Sequence, residues 1–334
     1  MSSTTHFGIC AIGNAIVDVL AHATDEFLLQ EKIVKGGMML IDEARADALY
    51  GTMRNTVEAS GGSAANTVAG YANLGGKAAF MGKVGGDQLG AIFRHDMQAL
   101  GVEYTTAPLD GGAATARCLV MVTPDGQRSM STFLGAATEF SPRDLDPALI
   151  EAASITYLEG YLFDKPQAQM AFFEAVKIAR RAGRQLALTL SDPFCVERHQ
   201  SAFLSLIASG VDIVFANHHE LMALTETATV EQGVAALRGQ CRLLAVTMSE
   251  QGALICPQGQ KPIRIKAEPV EKVVDTTGAG DQFAAGFLYG MTHGGDPAAC
   301  GRIGALAAAE VISHFGPRPA RVLAAQVQPM LQTA

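Results

Sequence analysis

Short apolar runs alternate along this chain with segments of helical pattern, and that alternation restricts the fold more than any other feature. Phe7–Ile12, Ala78–Met81, Ser154–Leu158, Gln185–Leu190, Ile213–Ala216 and Leu243–Val246 have strand length, while 167–182 and 230–238 read as helices. Strand–helix alternation with near-continuous apolar strands predicts a largely parallel sheet covered by helices on both faces, an α/β fold. In open sheets of this kind ligands lie beyond the carboxyl ends of the strands. Asn14, Asp18, Asp192, Asn217 and Thr247 follow such ends closely, so they are expected to converge on one crevice.

Residues 19–45 and 103–135 depart from the alternation. The second stretch holds two β-prone runs, 116–123 and 128–134, around Pro124-Asp125-Gly126, which is hairpin chemistry. Both stretches read as a small β lid inserted into a large α/β domain formed by 1–18, 46–102 and 136–334. The alternative is an antiparallel edge of the main sheet. A lid would exclude water, which otherwise competes for a transferred group.

Two glycine-rich loops carry the chemistry. Val274-Asp275-Thr276-Thr277-Gly278-Ala279-Gly280-Asp281 leads into a helical pattern of Phe283, Ala284, Phe287 and Leu288. Bare N–H groups of Gly278, Ala279 and Gly280 at a helix start suit an anion such as a phosphoryl group in transfer. Asp281 is placed to take the proton of an attacking hydroxyl. An ordinary loop with an acid in the first helical turn would share this pattern. Upstream, Gly61-Gly62-Ser63-Ala64-Ala65-Asn66 opens a small-residue helix that ends at Gly75-Gly76. Asn217-His218-His219-Glu220 also has the form of a capping box.

Together, 61–90, Asn217-x-x-Glu220 and 275–287 resemble the ribokinase-like (phosphofructokinase-B-type) family of carbohydrate and nucleoside kinases, in order and over about 13–316. The resemblance implies a three-layer sandwich with a mostly parallel central sheet and a β lid. It implies an ATP-dependent phosphotransferase acting on an alcohol, with Asp281 as base and 278–280 as anion hole. Asn217 and Glu220 would hold Mg²⁺ largely through water, as suits a hard cation that takes few protein ligands. Thr247, Ser249 and Gly252 would form a nucleotide-binding turn, and His314 lies where the family closes over adenine and ribose. Asp275 and Thr277 correspond to a loop that takes K⁺ in many relatives. Asn14, Asp18, Gly61, Gly62 and Asn66 resemble positions that grip vicinal hydroxyls, and Arg128 matches a lid arginine that meets phosphate; a plain surface arginine is the alternative. The spacing of Asn14 and Asp18 is that of the adenosine-phosphorylating members. Met38, Met39, Leu134, Tyr161 and Phe163 would supply an apolar slot for a base. Glu159 instead resembles a glutamate with which sugar kinases bind a hydroxyl, so a ribose- or fructose-type acceptor is the second reading.

Composition agrees. In 334 residues, 49% are apolar, enough for a substantial core, and the net charge of −8 opposes general nucleic-acid or membrane-surface binding. Six scattered cysteines without a Cys-x-x-Cys pair read as reduced thiols and not as a zinc site. With no charged leader before the first apolar run, a cytoplasmic protein is expected, monomeric or dimeric through a lid edge. A dinucleotide oxidoreductase would need Gly-x-Gly-x-x-Gly after the first strand, which is missing, as is a Walker-type loop. A non-catalytic nucleotide-binding regulator is disfavoured by Asp281 and its flanking glycines.

Overall fold

The computed structural model describes residues 6–332, so most of the N-terminal stretch in which no charged leader is expected, 1–5, lies outside the described residues. The strands are β1 Phe7–Ile12, β2 Ile16–His22, β3 Met38–Leu40, β4 Val57–Gly61, β5 Ala78–Met81, β6 Ala116–Val122, β7 Arg128–Phe133, β8 Ala153–Glu159, β9 Gln185–Thr189, β10 Ile213–Asn217, β11 Leu243–Thr247, β12 Ala253–Pro257 and β13 Ile263–Ile265. The helices are α1 Asp25–Gln30, α2 Glu43–Thr52, α3 Ser63–Asn73, α4 Gln88–Ala99, α5 Pro147–Ala152, α6 Pro166–Arg181, α7 Pro193–Gly210, α8 His218–Thr225, α9 Val230–Leu237, α10 Ala279–Thr292, α11 Pro297–Ile312 and α12 Ala324–Gln332.

The main sheet has eight strands in the order β13-β12-β11-β10-β9-β8-β1-β5. From β5 to β11 every pair is parallel, and β12 and β13 add an antiparallel edge. Alternate strand residues divide the core as the pleat requires. Ile9, Ile155, Ala187, Phe215 and Ala245 pack with α3, α10 and α11 on one face. Cys10, Leu158, Leu188, Val214 and Val246 pack with α5 to α9 on the other. Two helical layers around a largely parallel sheet are the expected sandwich.

The second sheet runs β3-β7-β6-β2-β4. Its hairpin β6–β7 turns at Asp125-Gly126, where Gly126 N–H donates to Thr123 O at 2.8 Å. The hairpin therefore belongs to a separate sheet and not to an edge of the main one. Burial alternates along β2: Val17 and Val19 face the core, while Ile16, Asp18 and Leu20 face the crevice.

The strand positions differ from the expected division in two places. Val57–Gly61, within the stretch 46–102 placed with the large domain, pairs antiparallel with β2. Residues 103–109, assigned to the lid, instead run along β5, with Phe80 N–H donating to Glu103 O at 2.8 Å. Open backbone edges draw both segments in, a long-range effect that the local pattern does not carry. Of the run 33–41, only Met38–Leu40 becomes a strand.

An aromatic group anchors the face opposite the crevice helices. Phe163 is fully buried, with ring centroids 4.6 Å from Phe203 and 5.6 Å from Phe172. Phe163→Ala should therefore cost about 3–5 kcal/mol. Equilibrium unfolding in urea checks this: the midpoint should fall with the slope unchanged, and an unaltered midpoint would contradict the packing described.

Candidate active site

A crevice of about 810 Å³ lies between the sheets, at the carboxyl ends of the main-sheet strands. Asn14 after β1, Glu159 at the end of β8, Ser191 and Asp192 after β9, Asn217 at the end of β10 and Thr247 at the end of β11 all line it. The strand order thus sets the order of functional groups. Asn14, expected to grip an acceptor, lies just after β1, and Asn217 and Thr247, expected to meet a nucleotide, lie at the ends of β10 and β11.

Two helix starts meet across this crevice. Gly278 caps α10 with φ 78, and a side chain there would run into the backbone of Pro317. No side chain caps the first turn of α10; Ala279 N–H donates to Thr276 O at 3.3 Å, and the N–H groups of Gly280 and Asp281 are left to an anion. At Gly280, by contrast, an added Cβ would meet nothing within 4 Å. The protein itself does not need a glycine there; the space serves whatever enters the crevice. Gly62 caps α3 with φ 95, and Asn14 O occupies the space a side chain would need.

Asp281, in the first turn of α10, joins these starts. Its carboxylate accepts from Ser63 Oγ at 2.6 Å and from Asn66 Nδ2 at 3.2 Å, both on α3. The residue is partly open to the crevice, yet its carboxyl is deep enough that burial pushes it up to about 6, against those two donors. Asp18 stands opposite on β2. Burial pushes it also up to about 6, with Arg318 and Arg128 pulling down and Asp281 pushing up. Gly61 does not line the crevice; it leaves room for the Asp18 carboxyl, which a side chain would strike.

Glu159 is buried and already committed. Asn14 donates to Oε1 from its backbone at 3.1 Å and from Nδ2 at 2.7 Å, and Ala64 N–H donates to Oε2 at 2.7 Å. Burial pushes its carboxyl up to about 7. It braces the β1 turn and the α3 start. Asn217 and Glu220 form the capping box: Glu220 N–H donates to Asn217 Oδ1 at 2.9 Å, and Asn217 donates to Glu220 from N at 2.9 Å and from Nδ2 at 2.6 Å. Burial pushes Glu220 up to about 7, and Asp192 and Asp281 add to the push.

Arg128 spans the two sheets. Its Nη1 donates to Thr277 Oγ1 at 2.9 Å, Nη2 lies 2.6 Å from Asp275 Oδ2, and its guanidinium stacks 4.3 Å over Phe315. It is no surface arginine. Asp275 also accepts from Thr277 N at 3.0 Å and from Gly316 N at 2.9 Å. Arg128 thus supplies the positive charge at Asp275 and Thr277, and this pair does not fit a potassium ion.

Other expected residues stand back from the crevice. Ser249 (φ 52) and Gly252 (φ 83) shape the turn beneath Thr247, with Met248 N–H donating to Gly252 O at 2.8 Å. His314 lies within 3.3 Å of both Glu310 Oε2 and Ala320 N, tied into its own loop. Met38, Leu134 and Tyr161 line the crevice, whereas Met39 and Phe163 do not. Three contributors escaped the sequence reading. Arg318 donates from Nε to Asn66 Oδ1 at 3.2 Å and from Nη1 to Ser60 Oγ at 2.7 Å. Gln282, fully buried, donates from Nε2 to Asn66 O and to Pro317 O, each at 3.0 Å. Ser191 lines the crevice with φ 70 and a buried hydroxyl without a protein partner. Only Gln282, adjoining Asp281, had a local signal that could have found it.

The start of α10 and two separate carboxylates, Asp281 and Asp18, thus meet in one crevice, an arrangement suited to a phosphotransferase that acts on an alcohol. Over residues 30–322 the chain matches the pfkB family carbohydrate kinases, and it belongs to that family, whose members take ATP as phosphoryl donor. It is 27% identical to the adenosine kinase of Saccharomyces cerevisiae over 92% of this chain and 96% of that one. It is 32% identical to fructokinase-1 of rice (Oryza sativa subsp. japonica) over 77% and 82%. Two solved structures superpose over 98% of this chain and 99% of their own. They are a probable sugar kinase from Rhizobium etli (48% identity, TM-score 0.90) and an adenosine kinase from Sinorhizobium meliloti (50%, 0.89).

The two loop glycines should separate on substitution. Gly278→Ala, strained by its φ and by Pro317, should lower thermal stability. Gly280→Ala should unfold like the parent yet lose about tenfold or more in kcat by crowding the anion site. Melting curves beside ATP turnover decide it, and a fully active Gly280→Ala would remove that loop from the phosphoryl site.

Proposed function

We propose that this kinase transfers the γ-phosphoryl group of ATP to the 5′-hydroxyl of adenosine, giving AMP. One observation carries the reading: the small sheet turns a largely apolar face into the crevice, through Ile16, Met38, Leu40, Cys118 and Met130. A flat base fills such a slot, while a free sugar would leave its own hydroxyls unpaired there. The commitment of Glu159 to Asn14 and Ala64 points the same way. The adenosine kinase from S. meliloti, half identical over nearly its whole length, supports the assignment.

In this reading Asp18 accepts hydrogen bonds from the vicinal ribose hydroxyls, and Asn14 donates beside it. The 5′-hydroxyl then faces Asp281, which takes its proton as the oxygen attacks the γ-phosphorus. The N–H groups at the start of α10 stabilise charge on the transferred group. Arg128 closes the small sheet over the site and keeps water out. No three His, Cys, Asp or Glu side chains come together as a metal cage among the described residues. The carboxylate of Glu220, whose raised proton affinity a cation would relieve, still fits magnesium reached through water. Bound with the triphosphate near Asn217, Glu220 and Thr247, magnesium would neutralise phosphate charge. We assign the chain to the cytoplasm, where its free cysteines would stay reduced.

ADP release with ATP and Mg²⁺ over adenosine, ribose and fructose tests the acceptor. Adenosine should be turned over; strong turnover of a sugar with none of adenosine would overturn the reading. Asp281→Asn should lose at least ~10²-fold in kcat while still binding ATP. Asp281 and Asp18 both titrate near pH 6, and each must be ionised to act. Activity should therefore fall as pH drops through 6, with kcat/KM losing more than one proton's worth of slope. In Asp18→Asn the slope should revert to one proton; a limb unchanged in both position and steepness would contradict the pairing.

A further inference from the structure

We propose that Arg318 is a positioning residue for phosphoryl transfer, fixing the side-chain amide of Asn66 so that its nitrogen and not its oxygen faces the base Asp281. The inference rests on the kinase reading but assigns a role to a residue outside the expected site.

An asparagine amide has a donor end and an acceptor end of nearly the same shape, and its neighbours decide which end points where. Asn66 stands between two charged groups. Arg318 Nε donates to Oδ1 at 3.2 Å, and Nδ2 donates to Asp281 Oδ2 at 3.2 Å. Turned over, the amide would set its oxygen against a carboxylate and its NH₂ against a guanidinium, which has donors only. Both bonds would become repulsions. With Arg318 present, one orientation is strongly favoured, and it is the one that holds the Asp281 carboxylate for its task.

Arg318 is itself held firmly. Pro317 O accepts from the buried Gln282, whose Nε2 also bonds Asn66 O, so the arginine's loop and the asparagine's backbone share one clamp. Nη1 reaches Ser60 Oγ on β4 at 2.7 Å, tying the same guanidinium to the small sheet. The charged groups facing it are Asp18 on β2 and Asp96 on α4, while Arg128 is the other cation near Asp18. Burial works against the charge of Arg318 and lowers its proton affinity. A deeply set guanidinium costs stability that an apolar side chain of similar length would not. Its bonds run to Asn66, which meets Asp281, and to Ser60 on the small sheet.

The test is a double-mutant cycle read by ADP release with adenosine, ATP and Mg²⁺. Arg318→Met keeps the length and loses the donors; it should lower kcat by ~10–10²-fold in the parent. In an Asn66→Ala background, with no amide left to misorient, the same change should cost less than ~3-fold. An equal cost in both backgrounds, or an unchanged kcat in the parent, would overturn the proposal. Arg318→Lys keeps a charge near Asp18 but lacks the planar fork, and it decides the matter should the methionine variant fail to fold. It should lower kcat ~10-fold with acceptor KM within ~3-fold. Parental kcat in Arg318→Lys would count against the role. A parent enzyme inert toward every acceptor would instead fault the kinase reading, not this inference.

Discussion

The carboxylate of Asp281 between two helix starts is the constraint on which the rest of the structure depends. A group that must take a proton near neutral pH needs its proton affinity raised, and it must also be held still. Burial in the crevice does the first. Ser63 and Asn66, one helical turn apart on α3, do the second. Because Asp281 sits on α10 and its donors on α3, those helices must lie close together on one face of the sheet. Small residues allow it: the side chain of Gln282 fills the space beside Gly70, while Gly286 and Gly290 let α11 approach from the other side.

The sheet supplies the second half of that geometry. Parallel neighbours bring their carboxyl ends to a common edge, and along the order β11-β10-β9-β8-β1 they set Thr247, Asn217, Asp192, Glu159 and Asn14 in a row. Ser191 and Asp192 lie midway along that row. The strained backbone at Ser191, with its hydroxyl buried and without a protein partner, sits at that midpoint. Strain of this kind is commonly stored where a ligand must be met.

Much of this was legible in the sequence, for physical reasons that differ by element. The main strands read clearly because strands buried on both faces must be apolar throughout. The α10 start read clearly because only glycine fits φ 78 against Pro317. The convergence of Asn14, Asp192, Asn217 and Thr247 followed from the rule that ligands lie beyond the ends of parallel strands, whereas Asp18 joins them from β2 of the small sheet. By contrast β4, with the sequence Val-Glu-Ala-Ser-Gly, carries little local pattern; its place is set by the open edge of β2. Arg318 was invisible because its bonds to Asn66 and Ser60 span 252 and 258 residues. The bonds of Glu159 to Asn14 and Ala64 were not legible, because residue type cannot tell a free carboxylate from one that braces its neighbours. The surroundings of His314, whose Nε2 lies within 3.3 Å of Glu310 and Ala320, are likewise not written in its immediate neighbours.

Charge balance closes the argument. Asp18, Glu159, Asp192, Glu220 and Asp281 crowd the crevice, and their mutual repulsion adds to burial in raising the affinities of Asp18, Glu159 and Glu220 for protons. A triphosphate entering alone would meet this field at a cost that the helix starts only partly offset. A nucleotide that brings its own cation removes the difficulty at the Glu220 end. At the acceptor end the protein supplies its own cations, Arg318 from the main domain and Arg128 from the small sheet. The second of these is conditional, since Arg128 reaches Asp275 and Thr277 only when the sheets lie together. If the small sheet moves as the proposed lid, its closure and the completion of this charge balance would be one event, coupling exclusion of water to assembly of the site.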